Sequence, residues 1–208
     1  MADDSKRLVE TGYDRMAEQY LASKSPLGPA TEALLAELVA GLPPTAATLD
    51  LGCGAGVPVT RWLADRVAVT GVDLSATQLA LAAQHVPGAR LIKADMTSVD
   101  FPLAHFDAVV ALYSIIHVPR AEQAGLIGRI HGWLRPGGRF LATWAIGAWE
   151  GQEADWEGWG APMWWSHHDA ATSLALLADA GFVIERAEQR TGHETWLWVL
   201  ARKLPDAG

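Results

Sequence analysis

Residues 49–56 read Leu49-Asp50-Leu51-Gly52-Cys53-Gly54-Ala55-Gly56, and this stretch decides the fold. An apolar segment with one carboxylate runs directly into three alternate glycines. Glycine has no Cβ and adopts positive φ without strain, so the turn can be tight and a ligand can approach its backbone closely. The stretch therefore predicts a β-strand whose carboxyl end forms the floor of a nucleotide-type pocket, followed by a helix that starts near Pro58.

A second acidic residue follows at the distance that such a pocket requires. Residues 69–74, Val-Thr-Gly-Val-Asp-Leu, contain the end of a second predicted strand. The acid at that end is Asp73, about 20 residues after the glycine turn. A carboxylate there can accept hydrogen bonds from both hydroxyls of a ribose. A dinucleotide dehydrogenase needs a similar turn and acid, but its third small residue would fall at the β-branched Val57. Because that position packs closely against the strand, the spacing argues against a dehydrogenase.

The glycine motif after Asp50 resembles the first motif of the S-adenosylmethionine-dependent methyltransferases of the large Rossmann-like class. Further matches follow in the family's order over almost the whole chain: Ala94-Asp95-Met96, Phe106-Asp107-Ala108-Val109-Val110 and Leu134-Arg135-Pro136-Gly137-Gly138. We interpret Asp107 and the glycine pair as structural. The resemblance implies that Asp95 faces the adenine amino group and that Met96 packs against the ring. It also implies S-adenosyl-L-methionine as methyl donor, with S-adenosyl-L-homocysteine as product.

Composition restricts the class of protein further. A chain of 208 residues, half of them apolar, can bury one substantial core but scarcely two. The net charge of −8 would repel a phosphate backbone, so no nucleic-acid partner is expected. The start lacks a signal peptide's apolar run, and no stretch approaches the ~20 apolar residues of a membrane helix, so we expect a cytoplasmic protein without membrane contact. Cys53, the single cysteine, fits the turn by its volume and cannot form an internal disulfide.

Helical and strand-like segments alternate along the chain. The pattern predicts helices at 5–23, 30–41, 58–65, 76–85, 120–133 and 169–180, and strands at 48–51, 67–72, 89–93, 106–112, 138–144, 182–189 and 194–201. Such alternation predicts an α/β fold with a parallel sheet covered on both faces and a ligand crevice at the carboxyl ends of the strands. The resemblance implies a seven-stranded sheet whose last strand is antiparallel.

We therefore expect residues 1–208 to form a single methyltransferase domain with four parts. These are N-terminal helices that act as a cap (1–45), a donor-binding core (46–145), a Trp-rich lid or insertion after the fifth strand (146–168), and a helix with a C-terminal hairpin (169–208). The insertion contains Gly, Pro, acids and tryptophans without a clear periodicity.

Candidate donor contacts come from the motifs and from the N-terminal helix. Tyr20 and Lys24 lie one helical turn apart, so their polar ends can converge on the donor's methionine carboxylate. The resemblance supports Tyr20, because such enzymes often close the donor pocket with a helix bearing the pattern Tyr-Asp-x-x-Ala-x-x-Tyr, which residues 13–20 match. The predicted cofactor contacts are Tyr20, Lys24, Asp50, Gly52, Gly54, Asp73, Leu74, Asp95, Met96, Leu112 and His117.

Two histidines are candidate catalytic bases. His117 follows the fourth strand near the crevice and titrates near neutrality, although Val118-Pro119 also suits a histidine that merely precedes a helix. His167 is the second candidate. Ser166 and Asp169 have the spacing of a capping box, but this does not explain the histidines between them. Adjacent histidines at a helix start diverge, so no metal site is expected.

Tryptophan is unusually frequent, with ten residues, six of them between positions 144 and 165. Core packing could absorb two or three. The others are more consistent with a deep aromatic pocket or a partner interface, and both a stacked aromatic acceptor and a cationic amine would fit. The predicted acceptor contacts are Tyr13, Tyr113, Trp149, Trp164 and His167.

The sequence thus predicts methyl transfer to a small-molecule acceptor, most consistently an aromatic or heteroaromatic metabolite. A general base is needed only if the acceptor keeps its proton at neutral pH. One alternative is a donor-binding enzyme with another reaction, such as a rearrangement or decarboxylation; another is a non-catalytic partner subunit, against which the intact motifs argue. The sequence leaves open whether the chain acts alone or as a homodimer.

Overall fold

The computed structural model describes residues 2–23, 26–192 and 194–205. The helices are α1 (Ala2–Arg15), α2 (Ala17–Ser23), α3 (Pro29–Leu38), α4 (Val59–Ala64), α5 (Ala76–His85), α6 (Arg120–Trp133) and α7 (Ala170–Asp179). The strands are β1 (Ala47–Leu51), β2 (Ala68–Asp73), β3 (Arg90–Lys93), β4 (Phe106–Ala111), β5 (Leu134–Ala145), β6 (Trp149–Glu153), β7 (Met163–His167), β8 (Phe182–Thr191) and β9 (Thr195–Lys203). Short 3₁₀ turns lie at Ile115–His117 and Trp156–Gly158.

Seven strands form the central sheet in the order β3-β2-β1-β4-β5-β9-β8. The first five are parallel, and β9 is antiparallel to both β5 and β8. The predicted seven-stranded, mostly parallel sheet is therefore confirmed. Leu51 pairs with Val72 in neighbouring strands, so the glycine turn after β1 and Asp73 at the end of β2 lie side by side.

Both faces of the sheet are covered by helices, which explains why its central strands are buried almost throughout. Leu49 and Leu51 of β1 pack into one core together with apolar residues of α6 and α7. Val110 of β4 and Leu141 of β5 pack on the opposite face with residues of α3 and α4. The sheet thus leaves the carboxyl ends of its strands as the place for a crevice.

Residues 146–168 contain more regular structure than the sequence analysis predicts. Strands β6 and β7 pair antiparallel as a separate two-stranded sheet. Each strand has five residues, and in β6 even Trp149 is exposed. The sequences of the two strands, Trp-Glu-Gly-Gln-Glu in β6 and Met-Trp-Trp-Ser-His in β7, do not alternate apolar and polar residues in the way that identifies a strand.

Two further details differ from the prediction. The N-terminal helix is interrupted at the fully buried Met16, giving two helices in place of one at 5–23. The capping box is wrong, because Asp169 itself caps α7 by accepting a hydrogen bond from the Thr172 N–H at 2.7 Å. Ser166 lies in β7, where its hydroxyl donates to Glu150 Oε2 at 2.6 Å. In the described part of the chain, no helix combines the length and apolarity needed to cross a bilayer.

Candidate active site

A cavity of about 340 Å³ opens at the carboxyl ends of β1, β2 and β4 and is covered by α1 and α2. We call it the nucleotide cavity. Its lining includes every described residue that the sequence analysis selected for the cofactor: Tyr20, Asp50, Gly52, Gly54, Asp73, Leu74, Asp95, Met96, Leu112 and His117. Lys24 lies outside the described residues.

The glycine turn brings its backbone against the segment that follows β4 and against the end of α5. Gly52 has φ +80°, and a Cβ at this position would lie 2.3 Å from Ser114 Cβ. Gly56 has φ +78°, and its Cβ would lie 2.9 Å from Val86 at the end of α5. The third glycine therefore serves the approach of α5, which accounts for the G-x-G-x-G spacing.

Asp73 is held at the edge of the nucleotide cavity by backbone hydrogen bonds. Its Oδ2 accepts from the Gly54 N–H at 2.8 Å and its Oδ1 from the Ser75 N–H at 2.9 Å. Burial raises the pKa of Asp73, and these hydrogen bonds oppose that rise. A carboxylate oxygen has more than one lone pair, so both oxygens retain acceptor capacity for hydroxyls of a ligand.

Asp95 is bound by a lysine that the sequence analysis does not select. Lys6 Nζ donates to Asp95 Oδ2 at 2.8 Å, to Thr97 Oγ1 at 2.7 Å and to Glu122 Oε2 at 2.5 Å. Burial would raise the pKa of Asp95, but the hydrogen bonds from Lys6 and Thr97 outweigh it and lower the pKa. Asp95 thus stays a charged acceptor, and Lys6 ties α1 over the cavity. A lone lysine on an N-terminal helix gives no sequence signal for this role.

Asp50 forms part of the cavity floor and is only 3% exposed. The Thr60 hydroxyl donates to its Oδ2 at 2.6 Å. Burial raises the pKa of Asp50 to about 7, against the effect of the Thr60 hydrogen bond. The carboxyl group therefore titrates near neutral pH.

Tyr13 and His117 form a hydrogen-bonded pair, with 2.9 Å between Tyr13 Oη and His117 Nε2. His117 Nδ1 lies 2.7 Å from the carbonyl oxygen of Trp164. Since a carbonyl only accepts, Nδ1 carries the proton and Nε2 accepts from the Tyr13 hydroxyl. Burial lowers the pKa of His117 to about 4, and burial also raises the pKa of Tyr13 well above its usual range. Both side chains are therefore neutral at pH 7.

A second cavity, of about 680 Å³, shares Tyr13, Tyr20, Tyr113, His117 and Trp198 with the first. We call it the aromatic cavity. Its rings fall into two groups, one of Tyr13, Tyr20, His117, Trp156 and Trp165 and one of Tyr113, Trp196 and Trp198. The pair Tyr13–His117 lies where the two cavities meet.

The structure brings only part of the predicted acceptor set to this cavity. Tyr13 and Tyr113 line it, whereas Trp149, Trp164 and His167 line neither cavity. The hairpin directs these three side chains away from both cavities. Trp149 is 46% exposed, the Trp164 ring packs into the cluster beneath α1, and His167 Nδ1 bonds to the Gly147 carbonyl at 2.7 Å.

Four tryptophans outside the predicted acceptor set line the aromatic cavity in their place: Trp156, Trp165, Trp196 and Trp198. Adjacent strand residues point to opposite faces, so β7 directs Trp165 into the cavity and Trp164 away from it. No group of three or more His, Cys, Asp or Glu side chains suited to a metal ion occurs among the residues that the structure describes.

We expect the protein to lose stability, relative to the variant His117→Asn, as the pH falls from 6.5 to about 4. Burial lowers the pKa of His117 to about 4 from an ordinary value of 6.5. The unfolded state therefore takes up a proton in this window while the folded state does not, and the loss approaches about 3 kcal/mol. Urea denaturation of both proteins across this pH range measures the difference. Parallel stability curves would contradict the buried neutral imidazole.

Three features define the class of protein: the sheet order, the glycine turn after β1 and the acid at the end of β2. They are typical of Rossmann-like α/β proteins that bind a nucleoside at this edge of the sheet. Comparisons with known proteins narrow this class. The family model described as a methyltransferase domain matches residues 48–138. Phosphoethanolamine N-methyltransferase 3 of Arabidopsis thaliana is 30% identical over 169 residues, which are 78% of this chain and 34% of that protein.

Two solved structures share the fold. An S-adenosylmethionine-dependent methyltransferase from Mesorhizobium loti is 25% identical, with a TM-score of 0.66 over 85% of this chain and 99% of that one. The 1,6-didemethyltoxoflavin-N1-methyltransferase of Burkholderia thailandensis, with bound 1,6-didemethyltoxoflavin and S-adenosylhomocysteine, is 20% identical, with a TM-score of 0.74 over 98% of this chain and 91% of that one.

The methyltransferase-domain match and the S-adenosylmethionine-dependent methyltransferase of the same fold support a class I S-adenosylmethionine-dependent methyltransferase domain in this chain. It spans about a third of the length of the curated plant relatives that it matches.

The lining of the nucleotide cavity fits S-adenosylmethionine, the cofactor of this class. At Gly54, which lines the cavity, a Cβ would come within 4 Å of Gln78 Oε1 alone, at 3.7 Å, so the turn offers bare backbone to a ligand there. Asp73 can accept from ribose hydroxyls, and the charged Asp95 can accept from an adenine amino group. Leu74 and Met96 supply apolar surface in the same lining.

Proposed function

We propose that this chain transfers the methyl group of S-adenosylmethionine to a small molecule with an aromatic or heteroaromatic ring, bound in the aromatic cavity. The proposal rests on the residues that line both the nucleotide cavity and the aromatic cavity. Tyr13, Tyr113 and His117 line both cavities, so an acceptor among the tryptophans lies next to a donor above the glycine turn.

Positioning is the main catalytic contribution of the chain. The bound cofactor supplies an electrophilic methyl group, and its transfer needs a nucleophile held in line and protected from water. Ring faces such as Trp165 and Trp196 orient a flat acceptor. Lys6 on Asp95, and Asp14 accepting from the Ser75 hydroxyl at 2.5 Å, hold α1 over the donor and exclude water.

Tyr13 and His117 provide the route for a proton. A hydroxyl acceptor gives its proton to Tyr13 Oη while the Tyr13 proton moves to His117 Nε2. The low pKa of His117 makes this imidazole a weak base, so the transfer accompanies methyl transfer and does not precede it. An acceptor without an ionisable proton uses the pair only for orientation.

The charge of the aromatic cavity argues against a phosphorylated acceptor of the kind named for the Arabidopsis relative. Arg190 is the cation among the described lining residues, and its Nε donates to Glu188 Oε1 at 2.8 Å. The guanidinium also lies over the Trp198 ring, 4.6 Å from its centroid. Glu157 and Glu194 line the same cavity. A phosphate dianion would therefore find no unpaired positive charge among these residues.

Incubation with methyl-labelled S-adenosylmethionine and a metabolite extract tests the proposal. We expect one small molecule to gain the label and the mass of a methyl group, and to absorb in the near ultraviolet as aromatic rings do. A product of unchanged mass would point to a rearrangement and contradict methyl transfer. Labelling of a phosphorylated aliphatic amine alone would contradict the aromatic acceptor.

Trp165→Ala is expected to weaken binding of the labelled acceptor about 10-fold, ~1.4 kcal/mol, because a ring face is removed from the aromatic cavity. Trp149→Ala is the matched control, since Trp149 lies in the same hairpin but outside both cavities. Acceptor KM and the dissociation constant of S-adenosylhomocysteine measure the two sites separately. Equal KM values for both variants would show that the hairpin is scaffold only.

A further inference from the structure

Gln78, in the first turn of α5, carries a buried amide without a protein partner. The residue is 1% exposed and lines the nucleotide cavity. Neither its side-chain oxygen nor its side-chain nitrogen makes a hydrogen bond within the described chain. Thr48, Gln123, Trp144 and Trp164 also carry a buried side-chain atom without a hydrogen-bond partner in the described chain, but none of them lines this cavity.

A buried glutamine with a structural role is bonded differently in the same protein. Gln123 Nε2 donates to three carbonyl oxygens, those of Ile115, Val118 and Ser166, at 3.3, 2.9 and 2.7 Å. Leaving a buried donor or acceptor unpaired costs about 1–3 kcal/mol. The amide of Gln78 therefore points to a partner inside the cavity.

The position of Gln78 identifies which part of the cofactor it meets. Ala82 and Val86 lie one and two turns further along α5 and pack beneath Gly56. On the same helix face, Gln78 Oε1 lies 3.7 Å from the place of a Cβ on Gly54. The Gly54 N–H in turn donates to Asp73 Oδ2. Gln78 thus adjoins the ribose acid and the turn.

We propose that Gln78 is a specificity-determining residue that hydrogen-bonds the ribose of the cofactor beside Asp73. This rests on the proposed use of S-adenosylmethionine. A carboxylate only accepts, so a hydroxyl that donates to Asp73 keeps lone pairs, and the Gln78 N–H can donate to them. Asp73 and Gln78 together recognise a hydroxyl both as a hydrogen-bond donor and as an acceptor.

Calorimetry on Gln78→Met tests the assignment, because methionine keeps the length of glutamine without its hydrogen bonds. Two ligands are titrated: S-adenosylhomocysteine and methylthioadenosine, which shares the nucleoside and thioether but lacks the amino acid. We expect both dissociation constants to rise about 10-fold, by the same factor, as one hydrogen bond is lost. The ligand-free Tm should stay equal or rise, since an unpaired amide is removed. Gln84→Met, on the exposed side of the same helix, should change neither quantity.

Gln78→Glu provides a second variant of the same shape that replaces the N–H donor with an acceptor, and it should also weaken both ligands. Unchanged affinity in both Gln78 variants would overturn the proposal, as would a lower ligand-free Tm with unchanged affinity. A loss for S-adenosylhomocysteine alone would overturn the ribose assignment. If the parent protein binds neither ligand, the proposed function itself fails, a result that the parent titration shows before any variant is made.

Discussion

Gly52→Ala is expected to destabilise the protein by roughly 2–5 kcal/mol and to abolish measurable binding of S-adenosylhomocysteine. Gly52 has φ +80°, where an L-residue is strained. Its new Cβ would lie 2.3 Å from Ser114 Cβ, so one of the two segments must move. Ser114 is fixed because its Oγ donates to the Leu51 carbonyl at 2.7 Å. Urea denaturation and calorimetry measure the two effects.

Two glycines and one double variant separate the causes. Gly54 has a positive φ but no close neighbour, so Gly54→Ala should lower the free energy of unfolding only by the backbone strain, about 1–2 kcal/mol. Gly88 has open space around it and no positive φ, so Gly88→Ala should leave the free energy of unfolding unchanged. Ser114→Gly, combined with Gly52→Ala, should recover the part of the loss that is due to the clash. A Gly52→Ala protein as stable as Gly88→Ala would show that the turn is not tight.

Tyr13→Phe and His117→Asn are expected to slow methyl transfer by ~10²-fold or more while leaving donor affinity nearly intact. Each change removes one member of the pair joined at 2.9 Å, and with it the route for the acceptor's proton. Because the two residues act as one unit, the double variant should be hardly slower than either single variant. Single-turnover rates with a saturating donor measure this step.

His167→Asn is the matched control for these variants. The sequence makes His167 a candidate base, but its imidazole is bonded to the Gly147 carbonyl and lines neither cavity. We expect its rate to equal that of the parent protein. If Tyr13→Phe and His117→Asn also keep the parent rate, the pair only positions the acceptor, and the acceptor carries no proton that must be removed.

The parts of the fold that were predicted correctly have strong local signals. The turn at 52–56 and the acid at 73 required glycine and a carboxylate at fixed places, and α6 runs over 120–133 as predicted. The paired hairpin was missed, because its five-residue strands are too short for an alternating pattern to show.

The site was predictable where contacts are local to the motifs and not where they join distant segments. Lys6 reaches Asp95 across 89 positions, and Tyr13 reaches His117 across 104. The aromatic cavity combines rings from α1, α2, the hairpin and β9. Nothing in the sequence around Trp196 or Trp156 indicates that these rings will face the same space, since only the tertiary fold brings them together.

The bond that orients His117 comes from the main chain of β7, at the carbonyl of Trp164. A main-chain carbonyl is present whatever amino acid occupies the position, so substitutions at 164 leave this anchor in place as long as the hairpin forms. The side chains that face the aromatic cavity, Trp156 and Trp165, can therefore change while the imidazole keeps its tautomer, whereas the fully buried Ala161, Met163 and Ser166 are held by packing. In a directed-evolution experiment, this segment is where a library could change the range of accepted substrates with the proton route preserved.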